Sequence, residues 1–134
     1  MWPFKKSQPP REVTHDGVTA IYSAPTASWE FTVDGVDFNI DGKEFDVDSI
    51  RWAKDSLPVI DRLSAEMLKA ARESLAGWAD EINLDSARLL YVDLSEFSVQ
   101  RYLMASYVGD ASWGDLGVDV TIQDGKIIAA DAGD

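Results

Sequence analysis

The stretch from Trp29 to Val47, WEFTV-DG-VDFNI-DG-KEFDV, limits the folds open to this chain more than any other. Apolar side chains recur at every second position: Trp29, Phe31 and Val33, then Val36, Phe38 and Ile40, then Phe45 and Val47. Successive side chains of a strand leave on opposite faces, so this period sends the apolar groups one way and the carboxylates the other. Asp34-Gly35 and Asp41-Gly42 punctuate the runs, and an Asp-Gly pair between alternating segments is the strongest short-range hairpin signal. The expectation is a three-stranded meander over 29–47 with one apolar and one acidic face. A further strand is expected within GVTAIYS, residues 17–23.

The same spacing imitates a calcium loop. Asp37, Asn39, Asp41 and Gly42, followed by Asp48, fall near the ligand and turn positions of an EF-hand. Three features favour strands instead. The upstream flank WEFTVDGV alternates like a strand, Asp48 is one methylene shorter than the usual bidentate Glu, and Phe38 and Ile40 require burial. The residues therefore read as a hairpin, with no metal ligand set and no cofactor expected.

Downstream, Asp48 reads as the N-cap of a helix opening SIRWAKDS. Pro58 either kinks that helix or sits in the first turn of a second one beginning near Ser56. Ile60, Leu63, Met67, Ala71, Leu75, Trp78 and Ile82 then recur at three- and four-residue steps, one apolar stripe against a mixed-charge face. Such a stripe is a core-packing face. ARLLYVDL and SVQRYLMASYV each read as a strand, with a turn of helix near LSEF between them. GVDVTI and KIIAA, on either side of Asp124-Gly125, form a closing hairpin. The expected class is α+β: an antiparallel sheet, from the N-terminal meander and the C-terminal hairpin, with one long or kinked helix, or two, packed on one face. Residues 1–14 are expected to be a flexible tail and residues 15–134 a single domain, since 134 residues fit one core.

Charge narrows the function classes. The net charge is −12, and it is concentrated: residues 30–48 hold seven acids against Lys43, and residues 83–134 hold nine acids against three bases. Such a field repels nucleic-acid phosphates and anionic lipid and attracts basic proteins; it also confers solubility. No apolar run approaches the roughly 20 residues that span a membrane. The opening MWPFKKSQPPRE, with Trp2, Phe4, Lys5 and Lys6, lacks the apolar core of a secretory signal. The absence of cysteine removes disulfides and thiolate chemistry and agrees with a cytoplasmic location.

Catalytic constellations are missing. His15 is the only histidine, beside Asp16-Gly17 in an expected loop, with no serine elbow or HExxH helix to accompany it. GDASWG, residues 109–114, has two glycines but no Lys-Ser/Thr to make a phosphate loop. In VGDASWGDLGVDV, Trp113 stands among glycines and acids, the setting of a protein-binding anchor or of an aromatic folded back over the core.

FTVDGVDFNI, SEFSVQRYL and WGDLGVDVTIQDGKI, together spanning roughly residues 29–131, resemble small bacterial α+β domains, among them families of immunity proteins from polymorphic toxin systems. The resemblance departs at Asp115, which stands where related sequences often carry histidine. It implies a non-enzymatic cytoplasmic binder whose partner is a protein, not a nucleic acid or a membrane. The expectation is an acidic binding domain that occludes a basic toxin or effector through Asp37, Asp41, Asp110, Trp113, Asp115 and Asp119. The alternative is a structural module that pairs with itself, its acidity serving solubility; composition fixes no oligomeric state.

Overall fold

Three of the four Asp-Gly pairs turn the chain as the alternation predicts. At Asp16-Gly17, Asp34-Gly35 and Asp124-Gly125 both residues have positive φ, from 49° to 79°, the two-residue type I′ turn whose twist matches that of paired strands. The structure, a computed structural model, describes residues 11–133. These turns join β1 (Glu12–His15) to β2 (Val18–Ser23), β3 (Ser28–Val33) to β4 (Val36–Asp41), and β7 (Gly117–Gln123) to β8 (Lys126–Gly133). With β5 (Arg88–Asp93) and β6 (Leu103–Val108) they form one eight-stranded sheet whose spatial order is the chain order. The class is α+β, as expected. β1 was not: the strand occupies part of the expected tail and ends on His15, while Trp2, Phe4, Lys5 and Lys6 lie outside the described residues.

The fourth pair behaves differently. Asp41 stays at negative φ and Gly42 adopts 130°, its N–H donating to the Ala27 carbonyl at 3.0 Å. No strand follows, so the expected third run of the meander, Lys43–Val47, is corrected to a loop. Phe45 is half-buried by another route, its ring 5.4 Å from Trp29 and 5.7 Å from Phe31, capping the aromatic cluster without pairing backbone, while Val47 is left exposed.

Helix α1 runs from Asp48 to Ser74. Asp46, rather than Asp48, serves its start: the Asp46 carboxylate accepts from the Asp48 N–H at 2.9 Å and the Asp46 carbonyl from the Ser49 N–H at 3.0 Å. The helix continues through Pro58, which lies exposed, so the carbonyl deprived of its partner one turn earlier faces water. Ile60, Leu63, Met67, Ala71 and Leu75 are buried, each large side chain contributing about 2 kcal/mol relative to exposure. The stripe ends there. Trp78 closes a 3-10 turn (Ala76–Trp78) and points its ring partly into solvent.

α1 packs on β3, β7 and β8, covering one face of the sheet. Trp29, Phe31, Phe38, Val92, Ala105, Val120 and Ile122 form the buried layer beneath it. After α1 the chain enters β5 parallel to β4, pairing Phe38 with Val92 and Asn39 with Asp93, the one parallel pairing among the described strands. A short helix α2 (Phe97–Gln100) connects β5 to β6, and β6, β7 and β8 complete the second meander.

Candidate functional site

The face that α1 leaves uncovered carries the alternate residues of every strand. Along β4 these are Asp37, Asn39 and Asp41, the residues that imitate calcium ligands; they lie on a strand between β3 and β5, not in a helix-flanked loop. Register then sets their neighbours. Asn39 faces Glu30 across β3 and Asp93 across β5, while Asp37 and Asp41 lie two residues to either side of it. Four carboxylates therefore surround one carboxamide, about 5 Å away across strands and about 7 Å away along β4.

These residues line an open groove of about 860 Å³; among the described residues its wall has four carboxylates and no basic side chain. Ile21 and Leu90, 45% and 41% exposed, supply apolar surface to it, together with Tyr91. Leu90 reaches this position because β5 is bulged between Leu89 and Tyr91. Two of the carboxylates have local partners: Asp37 accepts from the Thr32 hydroxyl at 2.6 Å, and Asp93 accepts from both the N–H and the hydroxyl of Ser95 at 2.8 and 2.6 Å. Ser95 in turn accepts from the Asp41 N–H at 2.9 Å, tying the β5–α2 loop to the end of β4. Among the described residues, none of the four carboxylates joins an ion pair; the pairs are Arg11–Glu44, Arg51–Asp48 and Lys54–Asp16.

The six residues singled out by sequence divide into two groups. Asp37 and Asp41 lie in the groove, and Asp119 shares its face two strands beyond β5, where it accepts from the Ser106 hydroxyl at 2.7 Å. Asp110, Trp113 and Asp115 belong to the connection between β6 and β7, where Ala111–Trp113 form a 3-10 turn. Trp113 is 4% exposed; its ring is folded back and its indole N–H donates to the Asn83 carbonyl at 2.8 Å. Asp110 holds the loop from within. It accepts from the Ser112 N–H and hydroxyl and from the Asn83 side-chain amide, and the Ser112 contacts above all draw its pKa below the ordinary value.

Sequence reasoning passed over Glu30, Asp93, Ile21 and Leu90. Glu30 was available, since it alternates with Trp29 and Phe31. Asp93 and Leu90 were obscured by the bulge, which shifts the period of β5 by one residue. No family model matches the chain, and neither curated proteins nor solved structures give a match. Among the described residues no helix is long and apolar enough to cross a membrane.

Proposed function

We propose that this chain is a non-enzymatic protein-binding domain that covers a basic partner with the open face of its sheet, in the manner of a bacterial immunity protein occluding a toxin or effector. One observation carries the reading: a groove that, among the described residues, has four carboxylates and no basic side chain in its wall, with apolar surface supplied by Ile21 on β2 and Leu90 on β5. A cationic segment placed there meets opposite charge from several directions. The aliphatic stems of its lysines or arginines find Ile21, Leu90 and Tyr91 to pack on. Carboxylates on a rigid sheet steer encounter and select against acidic partners, while the apolar contacts retain the bound state.

The test is capture of a basic protein from the native cell, followed by kinetics with that purified partner. Association should slow at least about tenfold between low and physiological salt, and about as much in the triple variant Glu30→Gln, Asp37→Asn, Asp41→Asn. In an immunity role, co-production of the domain also rescues cells from growth arrest by the partner. Binding indifferent to both salt and the triple variant would remove the groove from the function.

Self-association is the second reading, favoured by β8, a strand of eight residues that among the described residues pairs on one side only. A bulge between Thr121 and Ile122 interrupts its pairing to β7, and Asp131 adds charge to it, both features that oppose edge pairing. Equilibrium sedimentation separates the readings: a micromolar symmetric dimer supports the second.

A further inference from the structure

A smaller hollow lies apart from the groove, between the chain that follows α1 and the β6–β7 connection. It has a volume of about 310 Å³, and its wall includes Trp78, Trp113, Glu81, Asp115 and Leu116. Trp78 is 40% exposed although it continues the apolar stripe of the helix: the chain leaves the α-helix at Leu75, and the Trp78 N–H bonds the Leu75 carbonyl at 2.9 Å in a tighter turn. An exposed indole beside carboxylates is the type of surface that attracts a cation through the ring quadrupole, and tryptophan is enriched among interface hot spots.

The hollow is held in shape. The Asn83 N–H donates to the Ser112 hydroxyl oxygen at 2.8 Å, the Asn83 amide donates to Asp110 at 3.1 Å, and the Asp110 N–H donates to the Ser86 hydroxyl oxygen at 2.9 Å. These bonds clamp residues 83–86 to residues 110–112, and the Trp113 N–H closes the clamp on the Asn83 carbonyl. The polar groups of the scaffold are thus consumed internally. Glu81 and Asp115 are not: among the described residues neither carboxylate enters an ion pair or a side-chain hydrogen bond with the scaffold. The lining therefore combines an exposed indole with two carboxylates from separate segments and, among the described residues, holds no basic side chain.

We propose that this hollow binds the guanidinium group of an arginine side chain on a protein partner, stacked on Trp78 and hydrogen-bonded to Glu81 and Asp115. A guanidinium fits this set better than an ammonium because it is flat enough to stack on an indole while its edge donors diverge toward two acceptors. This site is distinct from the sheet groove and does not depend on the function proposed for it.

The experiment titrates the isotope-labelled full chain with N-acetyl-arginine methylamide at constant ionic strength, following the Trp78 indole N–H resonance. The citrulline and lysine analogues are titrated in parallel. The expected result is a saturable shift with a dissociation constant on the order of millimolar, about fivefold weaker binding for both analogues, and loss of the response at the remaining site residues in Trp78→Ala. The double variant Glu81→Gln, Asp115→Asn keeps the indole as reporter and should weaken binding about five- to tenfold. A shift that does not saturate, equal binding of citrulline or lysine, or full affinity in the double variant would overturn the proposal.

Discussion

Gly109 lies directly beneath the indole of Trp113, so close that a methyl group on its Cα would meet Cε2 of the ring at 2.1 Å. The contact is with a rigid ring whose N–H is already committed to Asn83, so the ring has no free direction in which to yield. Gly109→Ala should therefore destabilise the fold by about 1–3 kcal/mol, the usual cost of overpacking. Urea unfolding monitored by circular dichroism measures it; an unchanged midpoint would mean that the loop shifts without penalty.

The carboxylate of Asp110 should make the fold acid-sensitive. Its pKa is lowered from 3.8 by the hydroxyl and N–H of Ser112, with further help from Asn83 and Ser86. The folded protein then binds this proton less tightly than the unfolded chain does. The stabilisation is complete above 3.8 and disappears as pH falls through the lower folded value. In Asp110→Asn the decline of the urea midpoint between about pH 5 and pH 2 should be shallower than in the parent. Parallel declines would show that the bonds to Ser112 do not discriminate between ionised and neutral forms.

Tyr107 should act at the opposite end of the scale. Burial on the helix side of β6 pushes its pKa from 10.0 up to about 12. A raised folded value means that its contribution is intact below pH 10 and is lost as pH rises through 12. Tyr107→Phe should flatten the loss of stability over that interval, read by urea midpoints at successive pH values. A slope identical to the parent's would assign alkaline unfolding to other groups.

How much of the fold the sequence disclosed depends on whether the signal was local. WEFTV and VDFNI form β3 and β4 in the phase that alternation gives, because five residues and a type I′ turn contain all the information needed. KEFDV has the same period, yet it is a loop, since Phe45 meets Trp29 and Phe31 by ring contact alone. Five alternating residues do not distinguish those two ways of burying one ring. β1 precedes an Asp-Gly pair identical to the others, so its signal was present, but Glu12–His15 has one apolar residue and no visible stripe. The parallel pairing of β4 with β5 brings together segments separated by α1, and no local pattern encodes it.

The site follows the same division. Asp37 and Asp41 were legible because β4 is regular; Glu30 and Asp93 become their neighbours only through registers that pair β3 and β5 with Asn39. Trp113, conspicuous among glycines and acids, is folded against Gly109, whereas Trp78, counted in the helix stripe, is the exposed one. A periodic stripe does not announce the residue at which its helix stops. The 3-10 turn after Leu75 decides which tryptophan meets solvent.

The acidic face also stores repulsion that can be relieved. Asp119 on β7 stands directly opposite Asp131 on β8, both exposed, and Ser106 donates to Asp119 from the other side. Like charges in register across an antiparallel pair are unfavourable, and an opposite pair in the same place gains about 0.2–1 kcal/mol. Asp131→Lys should raise the thermal midpoint in low salt, with Asp131→Asn giving a smaller increase by removing repulsion without adding attraction. Both gains should shrink in about 1 M salt, where the Debye length is about 3 Å. An increase that persists in high salt would trace to strand propensity at this edge position, because lysine and asparagine would then be acting through the backbone and not through the field of the face.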